Sequence, residues 1–339
     1  MAATIKDIAK KVGVNPSTVS RVINGTASIS DETKQKIKEA MLEMDYHPNS
    51  NARSLVNGST FTIGLVINAQ NSDAFSNTYF IRSVSAIEAT AQEKGFNLLI
   101  CSDRVQQNDN AVINLILEKK VDGIILPVSI ITDELIDLLV ENTFPFVIMG
   151  EPDIIRQEMF WVDMDNKQGG QEAVDHLFKR GYKYPVLFVE SRGTMFERNR
   201  IQGFRNAMER HGVECNSKNI VECGIEGESI KYAIEQILEI GSKIDSIICT
   251  NNAVAYHVLR ELKIREKRVP DDFGIVTFDN YPLAEYMEPP LSVVDVDTYK
   301  LGEEAAKALF SIIKEPAIRE RNVLVPTKMI ERKSTEKGE

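Results

Sequence analysis

The chain has 339 residues, more than the ~100–200 of a typical single domain, so its length predicts two or three domains. A hydrophobic content of 43% supports packed cores, and no apolar stretch approaches the ~18 residues that a membrane helix needs. The N-terminus lacks the apolar segment of a signal peptide. We therefore expect a cytoplasmic protein with no membrane partner.

The net charge of −10 is unevenly distributed along the chain. Residues 1–60 contain eight basic and six acidic residues, so the remaining chain carries a charge of −12. A locally basic head can meet DNA phosphates while an acidic body stays away from the duplex. This asymmetry permits DNA binding but does not prove it.

The content of reactive residues argues against an enzyme. The four cysteines form no CxxC pair and the four histidines are widely spaced, so we expect buried free thiols and neither a metal site nor a cofactor. GxSxG, GxxxxGK[ST] and HExxH motifs are absent, and no GxGxxG follows the first strand.

The first 46 residues are typical of three short helices. Thr4 and Asp7 fit a helix N-cap with an acid in the first turn, and Gly13 stands where that helix must stop. Asn15 can cap a second helix that begins at Pro16, and a third begins near Ser30. The apolar residues expected to pack these helices together are Ile8, Ala9, Val12, Val19, Val22, Ile23, Ile37, Ala40, Met41 and Met44.

Polar residues occupy the outward face of the second helix. Short side chains at Ser17 and Thr18 allow close approach to a surface, and Arg21 can bind guanine or a phosphate with two hydrogen bonds. Ser20 and Asn24 point the same way. This pattern indicates a helix-turn-helix whose second helix enters the major groove. The ordinary alternative is a three-helix bundle with an exposed polar face.

The next segment, residues 45–55, predicts a hinge. Pro48 breaks the third helix, and Asn49 or Ser50 can cap a new helix of about two turns, too short to be stable alone. Such a helix would form only against a partner, such as its twin in a dimer on DNA. Leu55 has no core to enter and could wedge between base pairs in the minor groove. In the free protein a disordered linker is the alternative.

Two runs, TIKDIAKKVGVNPSTVSRVING and YHPNSNARSL, resemble the lactose-repressor/galactose-repressor (LacI/GalR) family, and the likeness extends to the closing PTKMIERKST. The resemblance implies a major-groove role for the second helix and a minor-groove wedge at Leu55, with Ala52 and Arg53 beside it. The predicted DNA-binding residues are Thr4, Asn15, Pro16, Ser17, Thr18, Ser20, Arg21, Asn24, Ala52, Arg53 and Leu55.

The body shows a repeated strand–helix pattern after residue 60. The candidate strands are Thr62–Ile67, Asn97–Cys101, Gly123–Pro127, Phe146–Met149, Pro185–Glu190, Asn219–Glu222, Ser246–Thr250 and Gly274–Thr277. Apolar runs separated by helical patterns indicate an α/β fold with two parallel, doubly wound halves and a ligand cleft between them. The family resemblance supports this layout, since the family body has the fold of periplasmic sugar-binding proteins.

We expect three segments. Residues 1–48 form the helix-turn-helix domain, 49–60 the hinge helix and linker, and 61–339 the effector-binding and dimerisation domain. Within the body, we place one half at about 61–161 plus 290–325 and the other at about 162–289, with the chain returning between Pro289 and about Ala305.

The resemblance also implies ligand residues. Arg200 matches the family arginine that hydrogen-bonds the effector, and Asp279 matches the carboxylate that accepts from sugar hydroxyls. Asn251 and Asn68 match polar positions of the cleft. A planar cation and a carboxylate can grip vicinal hydroxyls with paired hydrogen bonds. The alternative for Arg200 and Asp279 is a surface ion pair.

Aromatic side chains can offer flat apolar faces to a sugar ring. Phe75, Tyr79 and Phe80 follow the first strand, and Trp161 lies at the expected crossover between the halves. We include Phe75, Tyr79 and Trp161 among the effector candidates, although each alone is more often a core residue.

The expected function is a homodimeric repressor that binds a palindromic operator under the control of a small sugar. The combination of HPNSNARSLV with VDVD resembles the maltose-operon repressor branch of the family and suggests maltose or a related α-glucoside. Departures at Val296 and Asn252 put direct transfer of another member's ligand chemistry in doubt. A catabolite-control regulator switched by a phosphorylated carrier protein is the alternative. A solute-binding protein is disfavoured by the attached head. The sequence leaves open the direction of the effector's action, the operator, and dimer against tetramer.

Overall fold

The computed structural model describes residues 3–24, 29–46, 58–69, 75, 78–106, 109–239, 243–315 and 322–337. It contains a helical head and a larger body built on two six-stranded sheets, the α/β architecture expected from the sequence. Among these residues, no helix is both long enough and apolar enough to span a membrane.

Three helices form the head: α1 (Ile5–Val12), α2 (Pro16–Asn24) and α3 (Asp31–Glu43). The Asp7 carboxylate accepts hydrogen bonds from the Thr4 N–H (2.9 Å) and hydroxyl (2.6 Å), which ties down the start of α1. Gly13 ends that helix in the left-handed region at φ 75°. The predicted core is confirmed, with Ile8, Ala9, Val19, Ile37 and Ala40 buried and the other predicted apolar residues packed against them.

The body alternates strands and helices. In chain order, its first part contains β1 (Thr62–Ile67), α4 (Thr78–Glu93), β2 (Asn97–Ser102), the hairpin strands β3 (Val105–Gln106) and β4 (Asp109–Asn110), α5 (Ala111–Leu117), β5 (Gly123–Pro127), α6 (Asp133–Glu141), β6 (Phe146–Met149) and β7 (Trp161–Met164). The rest contains α7 (Asn166–Lys179), β8 (Pro185–Val189), α8 (Met195–Arg210), β9 (Ile220–Glu222), α9 (Gly227–Glu239), β10 (Ser246–Cys249), α10 (Asn252–Ile264), β11 (Gly274–Phe278), α11 (Pro282–Tyr286), β12 (Ser292–Val296), α12 (Thr298–Lys314), β13 (Asn322–Val325) and β14 (Thr327–Ile330).

The two sheets have matching topologies. The first is parallel throughout, in the order β13-β7-β6-β5-β1-β2. The second has the order β14-β12-β11-β10-β8-β9, and only its edge strand β14 is antiparallel. Helices cover both faces of each sheet, which is why the strands are continuous apolar runs. All eight strands expected from the sequence are present, with ends that differ by at most one residue.

Two glycines set the contact between α7 and α8. A Cβ on Gly203 would lie 2.0 Å from the carbonyl oxygen of Lys167, and one on Gly170 would lie 2.4 Å from that of Arg200. Only glycine permits helices to approach this closely. The two helices therefore pack backbone against backbone, and this contact fixes the position of Arg200 relative to the start of α7.

The chain passes between the halves at Asp165, at Asp297 and at Pro326. The carboxylates of Asp165 and Asp297 each cap the helix that follows, accepting from Gln168 N–H (2.8 Å) and Lys300 N–H (3.1 Å).

The structure moves the predicted half boundaries. Strand β7 belongs wholly to the first sheet, so the change of half comes after Met164 and not at residue 161. Strand β12 belongs to the second sheet, so the return comes after Val296 and not at residue 290, and β14 again joins the second sheet. The apolar run of β12 would suit a buried strand in either half. Its pairing with β11, which places Ser292 opposite Val276, decides that it joins the second sheet.

The four cysteines are free thiols, as expected: Cys223 and Cys249 are buried, while Cys101 and Cys215 are partly buried. Burial raises the pKa of each of these thiols, so they are poor nucleophiles.

Candidate functional site

The predicted DNA-reading residues of α2 form an exposed polar surface on the head. Asn15, Pro16, Ser17 and Arg21 are exposed, and Thr18 and Ser20 are partly exposed. Within the described residues, Arg21 makes no ion pair or hydrogen bond, so its guanidinium is available to a base or a phosphate.

Local hydrogen bonds hold the start of α2 in place. The Asn15 side-chain oxygen accepts from the backbone N–H (3.1 Å) and the hydroxyl (3.0 Å) of Ser17, as its predicted capping role requires. Thr4 is exposed at the N-terminus of α1, with its hydroxyl on Asp7. Both helix N-termini are therefore fixed by side chains at the head surface, and backbone N–H groups at helix N-termini favour phosphate oxygens.

Part of the predicted DNA-binding set lies outside the described residues. This applies to Ala52, Arg53 and Leu55, to the expected hinge helix, and to the side chain of Asn24. Their roles stay predictions.

In the body, Arg200 is the centre of a polar network at the carboxyl edge of the second sheet. Its Nε donates to the Asn166 side-chain oxygen (2.9 Å) and its Nη1 to the Thr250 carbonyl (2.7 Å). The guanidinium carbon lies 4.0 Å from the centroid of the Phe278 ring, a cation–π contact. No described residue accepts from Nη2, and Arg200 is 7% exposed. Hydrogen bonds and ring contacts with Phe278 and Phe196 hold this side chain, and Nη2 is left without an acceptor among the described residues.

Asp279 follows β11 and faces the same region. Its backbone is in the left-handed region at φ 69°, which is uncommon for a residue other than glycine and typical of functional positions. Among the described residues, none donates a hydrogen bond to its carboxyl group. Burial raises the pKa of Asp279 to about 6, although the charge of Arg200 acts in the opposite direction. A carboxyl group in this state lacks partners that a ligand could supply.

The two predicted asparagines have structural partners. The Asn251 side-chain oxygen caps α10 by accepting from Val254 N–H (2.9 Å), and its Nδ2 donates to Glu190 (3.2 Å). Asn68 lies just after β1, and its Nδ2 donates to the Ser129 hydroxyl (3.1 Å). Both therefore lie at the carboxyl ends of strands, one in each half, where ligands of doubly wound folds bind.

The aromatic candidates lie in different environments. Phe75 is exposed and its ring lies edge-on to Phe80, with centroids 5.7 Å apart. The side chain of Tyr79 lies outside the described residues. Trp161 is 4% exposed and packs in the core of the first half. It is the first residue of β7, three residues before the carboxyl end of that strand, and its buried indole N–H has no hydrogen-bond partner among the described residues.

Several residues of the site had not been expected from the sequence. Asn166 and Thr250 are 34 and 50 residues from Arg200 along the chain, and no sequence signal links them. Asn252 donates to the carbonyl oxygens of Phe278 and Asp279 (both 2.8 Å) and so fixes the loop after β11. The Asn251-Asn252 pair was the only hint of this role.

Side-chain pairs connect the halves across the cleft. Arg198 on α8 forms an ion pair with Asp153, and Asn199 donates to Glu151 (2.6 Å). Glu151 and Asp153 belong to the loop after β6 in the first half. The backbone N–H of Glu151 also donates to Asp163 (3.0 Å), which in turn accepts from Asn166 (3.4 Å). The first half is thus connected through hydrogen bonds to the partner of Arg200.

These features define a class of protein: a regulator in which a DNA-reading head is attached to a two-lobed ligand-binding body. Residues 4–49 match the family model described as bacterial regulatory proteins, lacI family, and residues 174–335 match the periplasmic binding protein-like domain. The HTH-type transcriptional regulator DegA of Bacillus subtilis is 33% identical over 339 residues, 99% of this chain and 98% of that protein. The HTH-type transcriptional regulator MalR of Streptococcus pneumoniae is 32% identical over 93% of this chain and 94% of its own.

The chain therefore belongs to the LacI family. Like the relatives named above, it is a transcriptional regulator and not an enzyme.

Solved structures show the same fold. A complex of the transcriptional regulator CelR with cellobiose is 26% identical, with a TM-score of 0.72 and coverage of 98% of this chain and 99% of that one. The lac repressor dimer bound to operator and the anti-inducer ONPF has a TM-score of 0.77 at 22% identity, with 99% of both chains covered. The second likeness supports the architecture alone.

Proposed function

We propose that this chain is a homodimeric repressor whose affinity for a palindromic operator is controlled by a small sugar bound in the cleft of the body. The observation that carries this proposal is that Arg200 and Asp279 both lie at the carboxyl edge of the second sheet, where each keeps hydrogen-bonding capacity that no described residue uses. The exposed face of α2 in the same chain supplies the DNA-reading element.

On DNA, α2 lies in the major groove and Arg21 contacts a base or a phosphate. Leu55, with Ala52 and Arg53 beside it, enters the minor groove of the operator centre as an apolar wedge. Two copies related by a two-fold axis read the two half-sites of a palindrome. Support comes from family membership and from the solved operator complex with the same fold.

The effector is maltose or a related α-glucoside. A planar cation and a carboxylate suit vicinal hydroxyls. The similarity to MalR and the cellobiose bound by CelR are in keeping with a disaccharide. Asn68 and Asn251 extend the contacts to both halves, and the exposed Phe75 and neighbouring Tyr79 cover an apolar sugar face.

Control of DNA binding requires only that the sugar binds one arrangement of the halves better than the other. Closure of the cleft would shift the first halves of the dimer relative to each other and destabilise the hinge helices. The pairs Arg198–Asp153 and Asn199–Glu151 are the contacts that such a movement must rearrange.

Thermal unfolding of the purified protein tests the effector. The panel contains maltose, maltotriose, trehalose, sucrose, glucose, purines and glucose 6-phosphate. A ligand present at about one hundred times its Kd adds ~2.7 kcal/mol to the folded state, so a binding sugar raises the melting temperature visibly. We expect a shift with maltose that is lost in Asp279→Asn. A shift with purines only would contradict a sugar effector. So would the absence of a shift with every compound of the panel.

A further inference from the structure

Glu197 is a buried acid that the proposed function does not use. It lies on α8, three residues before Arg200, and is 1% exposed. Its Oε1 accepts from the Thr250 hydroxyl (2.8 Å) and from the Glu190 N–H (3.2 Å). Its Oε2 is buried and has no hydrogen-bond partner among the described residues. An unsatisfied buried polar atom is costly and calls for an explanation.

Thr250 links Glu197 to Arg200, the arginine proposed to bind the effector. The Thr250 hydroxyl donates to Glu197, while the Thr250 carbonyl accepts from Arg200 Nη1 (2.7 Å). Thr250, just after β10, is therefore held at its hydroxyl and its carbonyl by two side chains of the same helix. A shift of either contact displaces the other, because hydrogen bonds of a buried network act together.

The titratable groups around Glu197 lie on its own helix and at the ends of two strands. Arg200 faces it from its own helix, Glu190 from the end of β8, and the Cys223 thiol from the end of β9. Burial raises the pKa of Glu197. The charge of Arg200 and the hydrogen bonds from the Thr250 hydroxyl and the Glu190 N–H lower it, and the charge of Glu190 raises it. Arg200 acts in the same way on Asp163 and Asp279, so three carboxyl groups share one cation.

We propose that Glu197 is a positioning residue for the effector arginine, and that it holds Arg200 toward the cleft only while its own carboxyl group is protonated. When Glu197 ionises, Oε2 becomes a buried charged acceptor without a donor. The positive charge of Arg200 already acts on Glu197, and its Nη2 has no acceptor among the described residues, so the guanidinium is drawn toward the ionised Glu197 and away from the ligand. Effector affinity then falls as the pH rises. The proposal rests on the proposed function in one respect, which is that Arg200 contacts the effector.

Glu197→Gln tests the proposal because it keeps the shape and the acceptor but removes the ionisation. Glu209→Gln is the matched control, an exposed acid on the same helix. In the full-length chain without ligand, the folded state binds the Glu197 proton more tightly than the unfolded state, so stability is lost as the pH rises. As the pH rises above the usual pKa of a glutamate, the melting temperature of Glu197→Gln should rise relative to that of the parent. The melting temperature of Glu209→Gln should change with pH in the same way as that of the parent.

A second readout follows Arg200 directly. Its Nε–H, assigned by disappearance of the signal in Arg200→Lys, exchanges with water at a rate that NMR can measure. As the pH rises, the exchange rate in the parent should become severalfold higher than the exchange rate in Glu197→Gln. Thr250→Val, which removes the hydroxyl and keeps the carbonyl, should lose protection even at low pH. Parallel rates in the parent and Glu197→Gln, or full protection in Thr250→Val, would overturn the positioning role.

Titration with maltose separates this inference from the proposed function. If maltose is the effector, its Kd in the parent should rise by up to about tenfold per pH unit above the pKa of Glu197, and less steeply in Glu197→Gln. Asp279 titrates in both proteins beside the same Arg200, so only the difference between the two slopes is assigned to Glu197. Equal slopes would refute the link to binding. Absence of maltose binding at every pH would refute the effector assignment, while the exchange rates still decide the role of Glu197.

Discussion

Replacing Gly203 by alanine should separate helices α7 and α8, which position Arg200. The new Cβ would lie 2.0 Å from the Lys167 carbonyl oxygen and 3.1 Å from the Gln171 backbone nitrogen. Both obstacles are backbone atoms of α7, so no side-chain rotation can relieve the contact. The helices must move apart by roughly 1 Å, because a carbon and an oxygen need more than about 3 Å between centres.

The size of the effect follows from two opposing contributions. Overpacking of a tight core costs about 1–3 kcal/mol, and a backbone obstacle places this site at the upper end. Alanine offsets roughly 1 kcal/mol of that through its higher helix propensity. The net loss of stability is therefore about 2 kcal/mol. For a body of this size, that corresponds to a fall in melting temperature of roughly 4–8 °C.

Differential scanning calorimetry provides the assay, with Gln202→Ala as the control on the exposed side of the same helix. The control should change stability by less than about 0.5 kcal/mol. Because Asn166 stands at the start of α7, Gly203→Ala should also lengthen its bond to Arg200 and weaken effector binding. A variant as stable as the parent, with unchanged effector affinity, would refute the argument that this helix contact positions Arg200.

Three further outcomes are expected. Arg21→Ala should weaken operator binding by about 1–3 kcal/mol while affecting a scrambled duplex less; equal operator affinity in an anisotropy titration would remove Arg21 from the reading surface. Leu55→Ala should reduce DNA bending, and identical bend angles in a gel-phasing assay would contradict the wedge. Asp279→Asn should stabilise the ligand-free protein more at pH 7.5 than at pH 5. In the parent, the folded-state pKa of Asp279 is about 6 and exceeds the usual 3.8, so the parent loses stability as the pH rises through about 6. A constant difference between the two melting temperatures would contradict this assignment.

Local sequence signals predicted most of the elements. Eight of the twelve strands in the two sheets were expected within one residue, because a buried parallel strand needs a continuous apolar run between turn signals; β7, β12, β13 and β14 were not expected. The head was expected down to the Thr4–Asp7 and Asn15–Ser17 bonds, because caps and the left-handed Gly13 depend on residues three or fewer positions apart.

The tertiary structure decided the environment of each site residue and the points at which the chain changes halves. Strand β12 could have joined either sheet, and only its register with β11 assigns it to the second. Trp161, a candidate for the cleft from its place in the sequence, is buried in the core of the first half. The partners of Arg200 come from the start of α7 and the end of β10, and its link to Glu197 passes through Thr250. These contacts join residues distant in the chain, so they depend on helix packing and strand order, which no local pattern encodes.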